Sequence, residues 1–387
     1  MPEAPTKKRS WLRGKPSKPA IAILLLLLTA VVVFRDRIAA TAALKGILDA
    51  QAPDPVLLRR VADQQRNPLH FLEQIWRSGK IPHRWEVVSY INHTAVTRRG
   101  VVSQTRSLLA EASRDRDLTV RVTALNLARI AGQEVWQPAA IDDLDDPDDD
   151  LRLEALHTLH RGHATNAIPV IMSKLNDPLP AIADFAAGVL HNFTGLENAL
   201  LTTNPVVVSD WWSNHGSQLP PIPDVELFKP PPGPDFSDLV FEQADGRPLP
   251  LAGLRGKPVY LFFFATWSGE CTLQMPDLRT LQTRVGNHAH LIGIGIDPLS
   301  SANQKHGTAV DPGKARTHVL RMAALQRVNF PVVFDPTGTA VLRLEGSEIP
   351  LHVLLDADLR MVRRFSGRRT APNLEQIIRR LGSVSAP

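Results

Sequence analysis

Cysteine is almost absent from this chain of 387 residues, since Cys271 is its single cysteine. A lone thiol cannot form an intramolecular disulfide, so a disulfide-stapled scaffold and ordinary dithiol exchange are both excluded. The sequence also lacks the Cys-x-x-Cys-His segment that attaches haem covalently and any glycine-rich phosphate loop. We therefore expect no bound cofactor.

Metal-ligand and nucleic-acid patterns are missing as well. The acidic run 142–150 lacks the glycine and the final glutamate of an EF-hand, and its place between helices favours a turn with aspartates at a helix N-terminus. No neighbouring cysteine or carboxylate completes a zinc site around His157, His160 and His163. Although the net charge is +5, no basic stretch is interleaved with aromatic residues. We expect neither a metal site nor nucleic-acid binding.

Basic residues concentrate just before the one long apolar run, Ala20 to Phe34. By the positive-inside rule this arrangement predicts a cytoplasmic tail at residues 1–19 and a single transmembrane anchor at residues 20–37, with the remaining chain in the periplasm or another extracytoplasmic compartment. The alternative is a cleaved signal peptide with its cleavage site at residues 40–42. Charged residues 35–37 lie between the run and that site, which favours the anchor.

The middle of the chain repeats with a period of 31 residues. The recurring positions are Asp115, Asp146 and Asp177; Val120, Leu151 and Ile182; Ala124, Ala155 and Ala186; and Ala128, Leu159 and Leu190. The apolar positions are four apart within a unit and so lie on one helix face, and each aspartate is predicted to cap the helix that follows it. The pattern resembles short bacterial HEAT-type repeats. Over residues 54–212 the resemblance implies an α-solenoid that binds protein partners.

The end of this array and the segment after it also carry signals. Trp211 and Trp212 are predicted to cover the last apolar face of the array, the alternative being that they anchor a partner. Residues 213–236 contain seven prolines, which predicts a stiff, extended spacer. We expect this spacer to hold the C-terminal domain away from the array without an interface.

The C-terminal part contains a strand-to-helix motif. Residues 256–265 read as a turn that leads into a buried strand, and residues 266–271 read Thr-Trp-Ser-Gly-Glu-Cys. The motif resembles that of the TlpA-like thioredoxin family, in which Ala-Thr-Trp-Cys-x-x-Cys opens a helix. Ser268 stands in the place of the first cysteine. Pro276 and the Phe-Pro-Val-Val-Phe-Asp segment at residues 330–335 fit further family positions.

The resemblance implies an α/β thioredoxin-like domain over residues 237–382. It also implies that Ile349-Pro350 precedes a strand and carries a cis-proline beside the active site. The site would then consist of Cys271, Ser268, Trp267 and Pro350. Without a second thiol, the groove beside Pro350 is expected to bind proteins without redox turnover.

A second interpretation is enzymatic. Peroxiredoxins of the AhpC/TSA type share the fold and use Thr/Ser-x-x-Cys, which Ser268 and Cys271 match. This chain has Phe264 where they place a proline and Pro350 where they place an arginine. Cys271 is then a candidate for a one-cysteine thiol oxidoreductase or peroxidase. A helix N-terminus lowers a thiol pKa and burial raises it, and the sequence leaves both outcomes open.

Overall fold

A computed structural model describes residues 58, 60–62, 68–77, 84, 87–91, 105–204, 206–297, 312–335, 339–344 and 349–384. The chain divides into two compact units, Met1–Phe71 and Leu72–Pro387. Within the described residues, no helix combines the length and the apolar character needed to cross a membrane. The predicted anchor at residues 20–37 lies outside these residues.

The first part of the chain that the structure describes is helical. Its α-helices are α1 (Pro68–Arg77), α2 (Arg106–Ala112), α3 (Leu118–Ile130), α4 (Trp136–Asp143), α5 (Asp149–Arg161), α6 (Ile168–Met172), α7 (Pro180–Thr194), α8 (Asn198–Thr203) and α9 (Val206–His215). From α2 to α5 each helix packs on the next, and α7 packs on α5, α6 and α8. We call α2–α9 the helical region; its classification as HEAT-like stays a prediction.

The recurring apolar positions are all buried. The capping prediction was wrong by two residues. Asp115 and Asp146 each accept a hydrogen bond from the backbone N–H two residues later. The N-caps are those later residues, Asp117 and Asp148, whose carboxylates accept from the first turn of α3 and of α5. Short aspartate side chains form such turns readily, so the two successive aspartates turn the chain and then cap the helix.

The second part is a seven-stranded mixed sheet with flanking helices. Its elements are β1 (Val240–Gln243), β2 (Pro248–Pro250), β3 (Val259–Phe264), α10 (Gly269–Val285), β4 (His290–Gly295), α11 (Pro312–Leu325), β5 (Val332–Phe334), α12 (Thr339–Arg343), β6 (Leu351–Leu355), β7 (Met361–Ser366) and α13 (Ala371–Val384). The strand order is β2-β1-β5-β4-β3-β6-β7. β3, β4 and β5 are parallel, and β6 and β7 add an antiparallel edge.

Two hydrophobic cores enclose the sheet. Along β3, Tyr260, Phe262 and Phe264 face the core under α10, α11 and α13, while the alternate residues face the core under α12. All six residues of β3 are buried, as expected for a central strand covered on both faces. This burial explains why the strand is a continuous apolar run.

The expectation that the proline-rich spacer separates the two parts was wrong. The spacer lies against β7: the Met361 backbone N–H donates a hydrogen bond to the carbonyl of Pro234 (3.1 Å), and the Arg360 guanidinium donates one to the carbonyl of Gly233 (3.1 Å). A Cβ at Gly233 would come within 1.9 Å of the Met361 carbonyl oxygen, so only glycine fits. Leu118 of α3 and Leu151 of α5 are buried in the core under α10 and α13. The helical region and the sheet therefore share a core.

Trp211 and Trp212 are half-buried and pack against the apolar cluster of the helical region. Trp211 also stacks on His215, with ring centroids 4.5 Å apart. This position fits the predicted covering of the last apolar face. A part of each ring remains exposed, so the arrangement leaves room for the partner-anchoring alternative.

Candidate active site

The end of β3 and the start of β6 bring the predicted site residues into one neighbourhood. In the antiparallel register Phe263 pairs with Leu351, so Pro350 lies next to the point where β3 passes into the loop before α10. The Ile349–Pro350 peptide bond is cis. Pro350 is buried, and its carbonyl accepts a hydrogen bond from Gly367 (3.1 Å) at the end of β7.

Ser268 is the N-cap of α10, and its hydroxyl accepts a hydrogen bond from the backbone N–H of Cys271 (3.3 Å). The preference of serine for this position explains why the helix begins here although the family cysteine is missing. The arrangement gives Ser268 a structural role. No histidine or other base is among its described hydrogen-bond partners that would activate the hydroxyl as a nucleophile.

The Cys271 side chain is completely buried, in the core formed with Met275 and Phe264. Burial raises the pKa of the Cys271 thiol. Hydrogen bonding to Ser268 and to the backbone at Ala265 acts in the opposite direction without reversing the shift. Burial is thus the largest influence on the pKa of this thiol and sets the direction of the shift. At neutral pH the thiol is protonated and shielded, which are the two conditions that suppress nucleophilic attack.

Asp297, which closes β4, is a site residue that the sequence interpretation did not single out. Its two carboxylate oxygens each accept a hydrogen bond from the Thr266 backbone N–H (3.0 Å), and the Thr266 hydroxyl donates a further one. Burial raises the pKa of the Asp297 carboxyl, against the effect of these bonds. The signal was present in the sequence, because the carboxyl ends of adjacent parallel strands meet at one sheet edge.

A second set of residues that the sequence interpretation did not single out fixes the first turns of α10. Gln274 lies one turn after Cys271 and is completely buried. Its amide nitrogen donates to the carbonyl of Arg369 (2.8 Å), and its amide oxygen accepts from the Arg369 N–H (2.8 Å). Asp277 accepts from the Ala371 N–H (3.0 Å). The segment that joins β7 to α13 therefore fixes the first turns of the Cys271 helix, which no local sequence pattern indicates.

The remaining predicted residues have other neighbours. Trp267 is half-buried and packs against the core under α12. Arg343, in α12, forms an ion pair with Asp238 (2.6 Å) and lies over the Phe236 ring. Arg343 therefore holds the end of the proline-rich spacer. Its described contacts do not include the Cys271 thiol, which an arginine of a peroxidase would have to reach.

His352 of β6, which pairs with Phe365 of β7, forms a buried hydrogen-bond network. The His352 Nε2 contacts the Gly367 carbonyl (2.8 Å), and its Nδ1 contacts the Tyr260 hydroxyl. These partners fix the tautomer: Nε2–H donates, and Nδ1 accepts from Tyr260. Burial lowers the pKa of His352 to about 3, so the ring is neutral at physiological pH.

Metal ligation finds no support in the residues that the structure describes, where no group of three or more histidine, cysteine, aspartate or glutamate side chains is arranged to hold an ion. His157 instead packs on Phe185, with ring centroids 4.1 Å apart. The acidic run 142–150 serves helix capping and ion pairing.

Comparison with known proteins places the sheet-containing part in context. Residues 232–364 match the model of the AhpC/TSA family. The thiol-disulfide oxidoreductase ResA of Bacillus subtilis is 25% identical over 138 residues, which are 36% of this chain and 69% of that protein. ResA of Geobacillus thermodenitrificans is 24% identical over 144 residues, which are 37% of this chain and 74% of that protein.

Solved structures that are similar to this part of the chain have lower sequence identity. A putative thiol:disulfide interchange protein DsbE from Chlorobium tepidum is 21% identical and covers 39% of this chain and 98% of its own, with a TM-score of 0.32. StoA from Bacillus subtilis is 16% identical and covers 37% of this chain and 98% of its own, with a TM-score of 0.31. The family match, the ResA relatives and the strand order identify a C-terminal thioredoxin-like domain.

Proposed function

We propose that the thioredoxin-like domain is a protein-binding module that engages extended segments in the groove beside Pro350 without dithiol exchange. The helical region supplies a second protein-binding surface in this proposal. The basic tail and the apolar run at residues 20–34 support an exported protein held at the membrane by one helix.

The state of Cys271 carries the proposal. Dithiol exchange needs one accessible thiolate to attack and a second thiol to resolve the mixed disulfide. Here the thiol is completely buried with a raised pKa, and Ser268 occupies the place of the attacking cysteine. The helix cap and the cis-proline are nevertheless retained. Retention of the cap and the cis-proline with loss of the exchange chemistry fits recognition better than turnover.

Restoring the missing thiol tests this proposal. The full chain and its Ser268→Cys variant are compared for catalysed reduction of a model protein disulfide by an external dithiol. We expect no activity above background for the wild type, and activity for the restored variant that disappears in Ser268→Cys/Cys271→Ser. Wild-type turnover that is lost in Cys271→Ser would overturn the proposal.

One observation favours a second candidate, a one-cysteine thiol oxidoreductase: the matches to the AhpC/TSA model and to the ResA proteins both concern thiol chemistry. In such a reaction the thiolate attacks a peroxide oxygen, the O–O bond breaks, and a cysteine sulfenic acid and an alcohol or water form. Two equivalents of an external thiol then reduce the sulfenic acid to the thiol, releasing water and a disulfide. Peroxide consumption that depends on Cys271 and on added thiol would establish it.

A further inference from the structure

The turns that precede α3 and α5 bind arginines of the thioredoxin-like domain. We call residues 115–117 and 145–150 the acidic turns, and Arg363, Arg364 and Arg369 the arginine rim. Arg363 forms a two-pronged ion pair with Asp146 (2.6 and 2.7 Å), and both side chains are largely buried. Arg364 pairs with Asp117. Further contacts join Asn373 to Asp149 and Arg380 to the carbonyl of Asp145.

The acidic turns also cover the edge of the sheet formed by β7. β7 is the last strand of the sheet, and the Arg364 N–H donates to the carbonyl of Arg116 (3.1 Å). Edge strands present unpaired backbone groups that proteins cover or protect. Leu118 and Leu151, in the first turns of the two helices, are buried in the core that contains Cys271. The contact therefore combines apolar burial, backbone pairing and paired charges.

Arg369 connects this contact to the active-site helix. Its guanidinium lies 2.9 Å from Asp150 and 3.7 Å from Asp148. Its backbone forms the two hydrogen bonds to Gln274, one turn after Cys271. One residue thus binds the helical region with its side chain and the Cys271 helix with its main chain. Displacement of the guanidinium would strain or break the contacts that fix the start of α10.

We propose that the acidic turns hold the thioredoxin-like domain in a closed state in which Cys271 is shielded, and that release of the arginine rim opens the start of α10 and exposes the thiol. Arg369 is the positioning residue of this latch. The inference goes beyond the proposed binding function, because it concerns how access to the thiol is controlled. It applies both to a binding module and to a one-cysteine oxidoreductase. A partner that displaces the acidic turns from the arginine rim would present carboxylates of its own to these arginines.

The test measures the rate at which an alkylating reagent modifies Cys271 in the full chain under native conditions. Asp146→Arg and Arg363→Asp each place like charges opposite one another and should accelerate modification by about tenfold or more, which corresponds to about 1.4 kcal/mol in the free energy of opening. The double variant restores opposite charges and should return the rate toward that of the wild type. Arg369→Ala should accelerate modification, and Arg369→Lys should largely rescue it.

Two controls separate the latch from a general loss of stability. Exchanging the exposed pair Asp245 and Arg247 should leave the rate unchanged. Asp177→Ala breaks a buried ion pair with Arg152 inside the helical region but leaves the hydrogen bonds of Arg152 to the carbonyls of Asp146 and Pro147 in place. It should lower stability without a comparable rise in the rate. The dependence of the rate on urea gives a further readout, since a local opening exposes little surface and shows a shallow dependence.

Three results would overturn the inference. The first is that Cys271 is alkylated no faster in Asp146→Arg and Arg363→Asp than in Asp177→Ala. The second is a double exchange at positions 146 and 363 that fails to slow modification. The third is wild-type modification with the full urea dependence of global unfolding, because Cys271 would then react only through the unfolded chain. This last measurement needs no variant, so it decides the question even if a charge variant fails to fold.

Discussion

Two turns of the helical region occupy equivalent positions in the 31-residue repeat but have different partners. Asp146 binds Arg363 of β7, in the thioredoxin-like domain. Asp177 binds Arg152 of α5, inside the helical region. The local structure is the same in both, since each aspartate accepts a hydrogen bond from the N–H two residues later. The repeat therefore specifies a turn, and the surroundings decide what the turn binds.

The capping positions show the same contrast. Asp117 and Asp148 cap α3 and α5 and also face the arginine rim. The equivalent position before α7 is Leu179, which forms no side-chain cap and is partly exposed. Where the domain docks, the repeat keeps a charged residue that serves both purposes. The two turns should therefore respond differently to acid, to the loss of an ion pair and to the truncation of apolar side chains.

Acid should first destabilise the part of the sheet that contacts the helical region. The His352 pKa is about 3 in the folded protein, compared with 6.5 for the unperturbed group, so the unfolded chain binds the proton more strongly. The contribution of His352 is complete above pH 6.5 and is lost as the pH falls toward 3, at about 1.4 kcal/mol per pH unit and about 5 kcal/mol in all. Urea unfolding at several pH values measures this loss.

His352→Gln is the control, because it keeps a donor for Gly367 and does not titrate. It should flatten the dependence of the unfolding free energy on pH. Hydrogen exchange in acid should show β6, β7 and the first turns of α3 and α5 losing protection before the first turn of α7. Simultaneous loss in all of these segments would contradict the contrast.

Removing one partner of each buried ion pair comes next. Asp146→Ala leaves Arg363 buried without its carboxylate and should lower the unfolding free energy by about 3–5 kcal/mol. Asp177→Ala should cost less, because the buried Arg152 keeps the carbonyls of Asp146 and Pro147 as acceptors. The location of the damage distinguishes them in hydrogen exchange: β7 loses protection in the first variant and keeps it in the second. Equal loss in β7 would mean that the two turns do not differ in role.

Apolar truncation at one repeat position should likewise act in different cores. Leu151 lies in the core with Cys271, whereas Ile182 lies in the cluster of the helical region. Leu151→Ala and Ile182→Ala should each cost about 2–5 kcal/mol. We expect the first to reduce exchange protection in α10 and α13, and the second to reduce it in α6 and α8. The opposite distribution would show that the first turn of α5 is not part of the domain core.

The smallest expected effect concerns a cap that forms no ion pair. Ser268→Ala removes a hydrogen bond to the first turn of α10 and should cost about 1 kcal/mol. It should also raise the Cys271 thiol pKa further, since hydrogen bonding to Ser268 lowers it. Thiolate absorbance as a function of pH measures this change. Asp148→Ala should cost more, because it removes a cap and a partner of Arg369 together.

Much of the candidate site follows from short-range sequence. The serine before α10, the buried β3 run and the Ile-Pro step before β6 each act within a few residues, so their pattern predicts a cap, a central strand and a proline loop. Gln274 and His352 were missed because their partners lie 95 and 15 residues away. Nothing near either residue in sequence marks it as more than a core position.

The sequence by itself determined the helix spacing, the buried faces, the cap of the Cys271 helix and the absence of a second thiol, because these depend on local propensity and composition. Tertiary structure alone decided that the proline-rich spacer lies against β7, that the acidic turns bind the arginine rim, and that burial raises the pKa of the Cys271 thiol. The reason is physical. An aspartate in a turn exposes the same carboxylate in every repeat, whereas its ion pairs and its desolvation depend on which side chains the fold brings next to it.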